Sequence, residues 1–113
     1  MENKYKWYKI ADDLTGLEFS LNGLTEIEIG GKVLCLARHL DQVFAFFHKC
    51  PHAGSRLSEG YLDLAGNIVC PMHHYKFDLK SGRNISGEGY FLKTYPVKLS
   101  KEGVFVSVME WES

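Results

Sequence analysis

The sequence has no long apolar run, no excess of charge of either sign and few cysteines. No apolar stretch approaches the roughly 20 residues that a membrane-spanning helix needs. The first residues, MENKYKWYKI, contain no apolar segment of the kind found in secretion signals. Thirteen basic and 14 acidic residues give a net charge of −1 without a basic stripe. We therefore expect a cytoplasmic protein that binds neither a membrane nor a nucleic acid.

The cysteine count is equally informative. Three cysteines are an odd number, and small secreted domains held by disulfides usually have four or more. Two of the three lie close to histidines, which points to a metal rather than to disulfides. The 113 residues, 45% of them hydrophobic, suffice for one domain with a core but not for separate cofactor and substrate lobes. The sequence predicts one domain, residues 1–113.

The hydrophobic pattern predicts an all-β fold. Polar and apolar residues alternate from Lys4 to Ile10 and again from Glu26 to Ile29, as in half-buried strands. Gly30-Gly31 then supplies a tight hairpin turn, and the apolar run from Val43 to Phe47 suits a strand at the centre of a sheet. Further strands are predicted at 32–38, 67–70, 75–79, 93–99 and 104–109, with a weaker one at 17–21. Short strands with frequent turns favour an antiparallel β-sandwich or barrel.

Cysteine and histidine occur together at two places. One residue separates Cys50 from His52, two separate Cys70 from His73, and 17 residues lie between the two pairs. Each pair offers one thiolate and one imidazole from a turn-forming segment, and both donors suit borderline-soft transition ions. Two such loops that converge bring two sulfurs and two nitrogens to a metal.

Two kinds of metal centre fit this donor set. One is a tetrahedral zinc site in a zinc-binding structural module. The other is a binuclear iron–sulfur cluster with both cysteines on one iron and both histidines on the second. Zinc fingers usually pair like donors within each short loop, whereas each loop here contributes one of each. Small residues follow the first loop, Ala53, Gly54 and Ser55, and let backbone N–H groups approach inorganic sulfides. The cluster is favoured, and the zinc module stays open as the alternative.

The pattern C-x-H-x(17)-C-x-x-H, carried by CPHAGSRLSEGYLD and CPMHHYKFDLKSG, resembles the Rieske [2Fe–2S] family. The resemblance implies an all-β Rieske domain, an antiparallel sandwich or barrel, with a small cluster-binding subdomain at roughly residues 48–83. It implies one Rieske-type [2Fe–2S] cluster. In it, Cys50 and Cys70 would hold a buried iron that stays ferric. His52 and His73 would hold the outer iron, which takes up the electron.

The chain departs from the high-potential Rieske proteins, which resemble CTHLGC and CPCHGSHYD. Ser55 and Met72 stand where those proteins have two disulfide-bonded cysteines. Tyr75 replaces a serine whose hydroxyl donates to a bridging sulfide, and Phe77 replaces a tyrosine that donates to a cysteine sulfur. The loss of two O–H donors leaves the added negative charge of the reduced cluster less stabilised. The resemblance therefore predicts a midpoint potential near the low end of the Rieske range, about −150 mV.

Residues around the four ligands are candidates for the surroundings of the cluster or for a docking rim: Pro51, Ala53, Gly54, Ser55, Met72, His74 and Tyr75. An apolar rim would exclude water and give a partner a flat surface. The stretch from Gly87 to Tyr90 is predicted to form a third loop beside the cluster. Cys35, inside a predicted strand, is expected to be a buried and inert thiol.

The pattern is most similar to the soluble Rieske ferredoxins of bacterial ring-hydroxylating dioxygenases. This resemblance implies an electron carrier and not an enzyme, which takes one electron from a flavoprotein reductase and passes it, by transient docking, to a terminal oxygenase or reductase. The pattern also resembles the small subunit of assimilatory nitrite reductases, which is a second possible function. A dioxygenase catalytic subunit would need a further mononuclear iron domain, for which 113 residues leave no room.

Overall fold

The computed structural model describes residues 5–52, 54–87 and 89–109. These residues form ten strands and two single-turn 3₁₀ helices, Leu14–Gly16 and Leu57–Glu59. The strands are β1 (Tyr5–Ala11), β2 (Leu24–Ile29), β3 (Lys32–His39), β4 (Gln42–Phe47), β5 (Tyr61–Leu62), β6 (Asn67–Val69), β7 (Lys76–Asp78), β8 (Thr94–Tyr95), β9 (Val97–Ser100) and β10 (Gly103–Met109). In this part of the chain no helix is long and apolar enough to cross a membrane.

The strands form three sheets in which all paired strands are antiparallel. The strand orders are β1-β10-β9, β2-β3-β4-β8 and β5-β6-β7. The predicted all-β fold with antiparallel sheets is confirmed. Gly30 and Gly31 form the β2–β3 turn with φ of 55° and 85°, a conformation that glycine adopts without strain.

The four-stranded sheet is buried on both faces. On one face, Leu34 and Leu36 of β3 pack with Val104 and Val106 of β10 in one core. On the other face, Cys35 of β3 and Phe46 of β4 belong to a second core, which also holds Ile68 and Phe77 of the small sheet. Because successive side chains point to opposite faces of a sheet, one strand serves both cores. The apolar run at 43–47 is therefore explained, since β4 lies between β3 and β8.

Two predicted strands differ from the structure, and one strand was not predicted. Residues 17–21 are not a strand: they follow a 3₁₀ turn whose start is capped by Asp13, which accepts a hydrogen bond from the Thr15 N–H at 2.9 Å. The predicted strand 93–99 is divided into β8 and β9 at Pro96, which has no N–H for a ladder. The short strand β5 lies in a segment where no strand was predicted.

Candidate functional site

The two cysteine–histidine loops have the same backbone closure. The N–H of Cys50 donates to the carbonyl of Ser55 at 2.8 Å, and the N–H of Cys70 donates to the carbonyl of Tyr75 at 2.8 Å. In each loop the cysteine amide thus bonds the carbonyl five residues later. The first loop follows β4 of the four-stranded sheet, and the second joins β6 to β7 of the small sheet. Two different sheets therefore bring the loops together.

Left-handed backbone conformations shape both loops. Gly54 has φ of 74°, and its N–H donates to the carbonyl of Cys50 at 2.8 Å. His73 and His74 have φ of 67° and 57°, values that are uncommon for residues with a side chain. Strain of this kind persists where surrounding contacts impose it and concentrates at functional sites. In the second loop the strained residues are the candidate ligand His73 and its neighbour His74.

The two loop cysteines are buried and adjacent. Cys50 is 2% exposed and Cys70 is not exposed at all, and both are free thiols. Burial raises the pKa of the Cys70 thiol, and so does its contact with the Cys50 thiol. The backbone N–H of Met72 and the hydroxyl of Ser55 donate to the Cys70 sulfur and act in the opposite direction. The hydroxyl of Ser55 in the first loop therefore lowers the pKa of the cysteine in the second loop.

The two loop histidines lie on the outer side of this cysteine pair. The ring centroids of His52 and His73 are 5.0 Å apart, with planes at 68°. His73 is exposed, whereas His52 is half-buried. The Nδ1 atom of His52 is buried and has no hydrogen-bond partner among the described residues. Buried polar atoms are almost always paired, so this nitrogen is a candidate to bind a group that the described residues do not supply.

The donor set fits a cluster of two irons and two sulfides. The two cysteine thiols are in contact and buried, the two imidazoles lie together nearer the surface, and Nδ1 of His52 has no hydrogen-bond partner within the described part of the chain. Across residues 5–52, 54–87 and 89–109, no three His, Cys, Asp or Glu side chains gather closely enough to hold a single metal ion. The separation of the donors into a cysteine pair and a histidine pair suits an elongated binuclear centre better than a tetrahedral zinc site.

Two tyrosines surround His52. The ring of Tyr75 stacks on the imidazole with centroids 4.0 Å apart and planes at 9°. The ring of Tyr90 meets the imidazole edge-on at 5.2 Å and the Tyr75 ring at 6.0 Å. The predicted placement of Tyr75 in the site thus has a definite geometry. The predicted third loop contributes Tyr90 to the site, while its Glu88 lies outside the described residues.

A network of polar contacts ties the first loop to the main sandwich. Arg56, directly after that loop, donates to both carboxylate oxygens of Glu26 on β2, at 2.6 and 3.2 Å. The Ser58 hydroxyl donates to the same carboxylate at 2.9 Å. The hydrogen bond from Arg56 is the main reason that the pKa of Glu26 lies below its ordinary value. The side-chain amide of Asn22 donates to the carbonyls of Ser58 and Gly60, both at 3.2 Å. The sequence alone does not reveal this network, because the partners are 30 or more residues apart and no local motif connects them.

The remaining predicted rim residues differ in exposure. Pro51, Met72 and His74 are exposed, as a docking rim requires. Each is next to His52 or His73 in the sequence. Ala53 lies outside the described residues. Cys35 is fully buried on β3, and burial raises the pKa of its thiol to about 12. The structure therefore places Cys35 in the core as a protonated thiol, as the sequence predicted.

The chain is similar in sequence and in fold to known proteins. The model of the Rieske [2Fe–2S] domain family matches residues 6–96. The ferredoxin component of the naphthalene 1,2-dioxygenase system of Pseudomonas putida is 31% identical over 104 residues, which cover 91% of this chain and 96% of that protein. The ferredoxin in a complex of reduced oxygenase and oxidized ferredoxin of carbazole 1,9a-dioxygenase superposes with a TM-score of 0.74 at 26% identity, covering 89% of this chain and 92% of that one. A nitrite reductase NADPH small subunit superposes with a TM-score of 0.75 at 24% identity, covering 89% and 97%, a likeness of fold.

Proposed function

Because the chain belongs to the Rieske [2Fe–2S] domain family and carries a Rieske-type [2Fe–2S] cluster, we propose that Cys50 and Cys70 bind one iron and that His52 and His73 bind the other. The observation that carries this assignment is the buried Nδ1 of His52, which has no partner within the described residues. The contact between the two buried cysteine thiols supports it.

When bound, the cluster supplies reversible one-electron chemistry. The chain's own residues set the conditions for it. The two cysteines lie inside, away from water, while His73 reaches the surface. Neutral imidazoles in place of two thiolates reduce the negative charge at the outer end and raise the potential above that of an all-cysteine cluster. The protein is accordingly an electron carrier rather than a catalyst, and the exposed histidine side is where electrons enter and leave.

The ferredoxin relative of a dioxygenase system supports an assignment of the electron-transfer partners. The chain spans nearly the whole length of a dioxygenase-system ferredoxin at 31% identity. We infer that this chain takes its electron from a flavoprotein reductase and passes it to a terminal oxygenase by transient docking at the histidine side. The three free cysteines fit a reducing compartment, and we place the protein in the cytoplasm.

Electron paramagnetic resonance of the dithionite-reduced protein, with iron and zinc analysis of the same sample, tests the cluster assignment. We expect two irons per chain and a rhombic Rieske spectrum. Cys70→Ala and His73→Ala should abolish the spectrum, whereas the matched controls Cys35→Ala and His74→Ala should retain it. A colourless protein with one zinc per chain would replace the proposal by the zinc-binding module.

The partner assignment has a separate test. The loaded protein is mixed anaerobically with NADH and the purified reductase of the naphthalene dioxygenase system, and its visible spectrum is followed. Reduction at a rate that depends on the reductase concentration supports the proposal. Stable co-purification with a large sirohaem-containing chain would contradict it and favour the nitrite reductase small subunit, for which the present support is a shared fold at 24% identity.

A further inference from the structure

The stacked rings of Tyr75 and His52 belong to different loops. His52 lies in the first loop and Tyr75 closes the second, where its carbonyl accepts the Cys70 N–H at 2.8 Å. All three cysteines of the chain are free, so no disulfide ties one loop to the other. The stack, at 4.0 Å and 9°, is therefore a noncovalent connection between the loops.

The orientation of the His52 ring is restricted on several sides. Tyr75 covers one face, the Tyr90 ring meets it at 72°, and the His73 ring meets it at 68°. Tilting the imidazole out of this plane by rotation about its bond to Cβ would break the parallel stack. In the conformation so held, Nδ1 is buried and has no hydrogen-bond partner in residues 5–52, 54–87 and 89–109. The surrounding rings thus hold the plane of the imidazole, and a metal bound to Nδ1 would lie in that plane.

Tyr75 is itself held in place. Its ring is half-buried and packs against the core that contains Cys50, Cys70 and Phe77. A ring anchored in the core at one end and stacked on a histidine at the other transmits the rigidity of the core to the histidine. Ligands held by such outer contacts bind metal more tightly than ligands that must be ordered on binding.

We infer that Tyr75 is a positioning residue for His52: its aromatic ring stacks on the imidazole from the opposite loop, fixes the plane of the ring that carries Nδ1 and keeps water from the stacked face of the imidazole. This role rests on the proposed function, in which His52 is a ligand. It belongs to the ring and not to the phenol hydroxyl, because the contact is a parallel stack of two planes.

The test compares Tyr75→Phe, Tyr75→Leu and Tyr75→Ala in the loaded protein. Phenylalanine keeps the ring, leucine keeps apolar bulk without a ring, and alanine removes both. Tyr61→Ala is the matched control, because Tyr61 is an exposed tyrosine on β5 of the small sheet, whose β6–β7 loop carries Tyr75. The first readout is the rate at which a strong iron chelator bleaches the cluster. The second is pulsed electron paramagnetic resonance, which reports the couplings of the two coordinated imidazole nitrogens separately.

We expect Tyr75→Leu and Tyr75→Ala to lose the cluster about three to ten times faster than the wild type, which corresponds to about 0.7 to 1.4 kcal/mol, the range for an aromatic pair. Tyr75→Phe and Tyr61→Ala should stay within a factor of two. One nitrogen coupling, that of His52, should shift or broaden in the leucine and alanine variants while the other stays unchanged. If the alanine variant assembles no cluster, the leucine and phenylalanine variants provide the comparison.

Several outcomes would overturn the inference. Equal bleaching rates in wild type and Tyr75→Leu would do so, as would a Tyr75→Phe variant as labile as Tyr75→Leu, because the hydroxyl would then be the active group. A shift of both nitrogen couplings together would mean that Tyr75 stabilises the fold in general. A wild-type spectrum without two imidazole nitrogens would instead refute the proposed ligand set, so the two failures are distinguishable.

Discussion

Replacing Gly60 by alanine would put a methyl group into a space that the backbone already fills. Gly60 precedes β5, and a Cβ built on it lies 2.0 Å from the carbonyl oxygen of Val69 and 3.2 Å from Cδ of Pro71. Those two residues flank Cys70. The obstacle is a strand backbone and not the end of a flexible side chain, so relief requires movement of about 1 Å in the segment that carries the candidate ligand.

The cost follows from this displacement. Overpacking typically costs about 1 to 3 kcal/mol, and a clash with backbone belongs at the upper end. The entropy of unfolding scales with chain length. For 113 residues, each kcal/mol lost from the free energy of unfolding lowers the melting temperature by about 4 °C. We therefore expect Gly60→Ala to lower the melting temperature of the loaded protein by about 12 °C.

The matched control for this prediction is Gly87→Ala, because a Cβ at Gly87 meets nothing within 4 Å. Both variants and the wild type are heated at one scan rate while circular dichroism reports the β-structure and visible absorbance reports the cluster. Gly60→Ala should lose cluster absorbance at the lower temperature, and Gly87→Ala should follow the wild type. A difference of less than about 2 °C between the two variants would refute the steric reasoning, since surface substitutions usually change stability by no more than about 0.5 kcal/mol.

Three further predictions concern potential, pH and the third cysteine. Phe77→Tyr restores an O–H donor that the high-potential Rieske proteins have. If the new hydrogen bond is about 1 kcal/mol stronger in the reduced state, redox titration should show a midpoint potential about 40 mV higher than that of the wild type. An unchanged potential would argue against the missing donor as the cause of a low potential. The hydrogen bond from Arg56 lowers the pKa of Glu26 below its ordinary value of 4.5. The ionised Glu26 carboxylate therefore contributes its full stabilisation of the fold above pH 4.5, and this stabilisation is lost as the pH falls through the lowered pKa. Between about pH 5 and 3 the melting temperature of the wild type should therefore fall more steeply than that of Glu26→Gln, and parallel curves would contradict this linkage. Cys35→Ala should keep two irons per chain and an unchanged resonance spectrum, because the Cys35 thiol is buried in the core with a pKa of about 12; loss of iron would make Cys35 a ligand.

Local patterns determined much of what the sequence could predict. Alternation of polar and apolar residues located β2, and the Gly30-Gly31 pair located its turn to β3, because these signals lie within a few residues. Strand assignment was wrong where local composition was ambiguous. Residues 17–21 contain apolar side chains at strand-like spacing, but Leu17 and Phe19 pack into the core from a turn.

The candidate site was predictable in its donors and not in its surroundings. The spacing of Cys50, His52, Cys70 and His73 identifies a chemical type of centre regardless of how the loops fold. The stack of Tyr75 on His52 depends on how the two loops are oriented, and the Glu26–Arg56 contact spans 30 residues. Contacts of this kind depend on sheet packing, so a sequence pattern without the fold does not reveal them.

The pairing of β1 with β10 has a practical consequence. Tyr5 lies opposite Met109 in this antiparallel pair, so the two ends of the described sandwich meet at one edge of one sheet. A short linker could join them and the chain could be opened at the Gly30-Gly31 turn, giving a circular permutant in which both cysteine–histidine loops stay on one uninterrupted segment. The same geometry would let the domain be inserted whole into a loop of a reductase, which places a donor flavin and the electron carrier in one polypeptide at a fixed effective concentration.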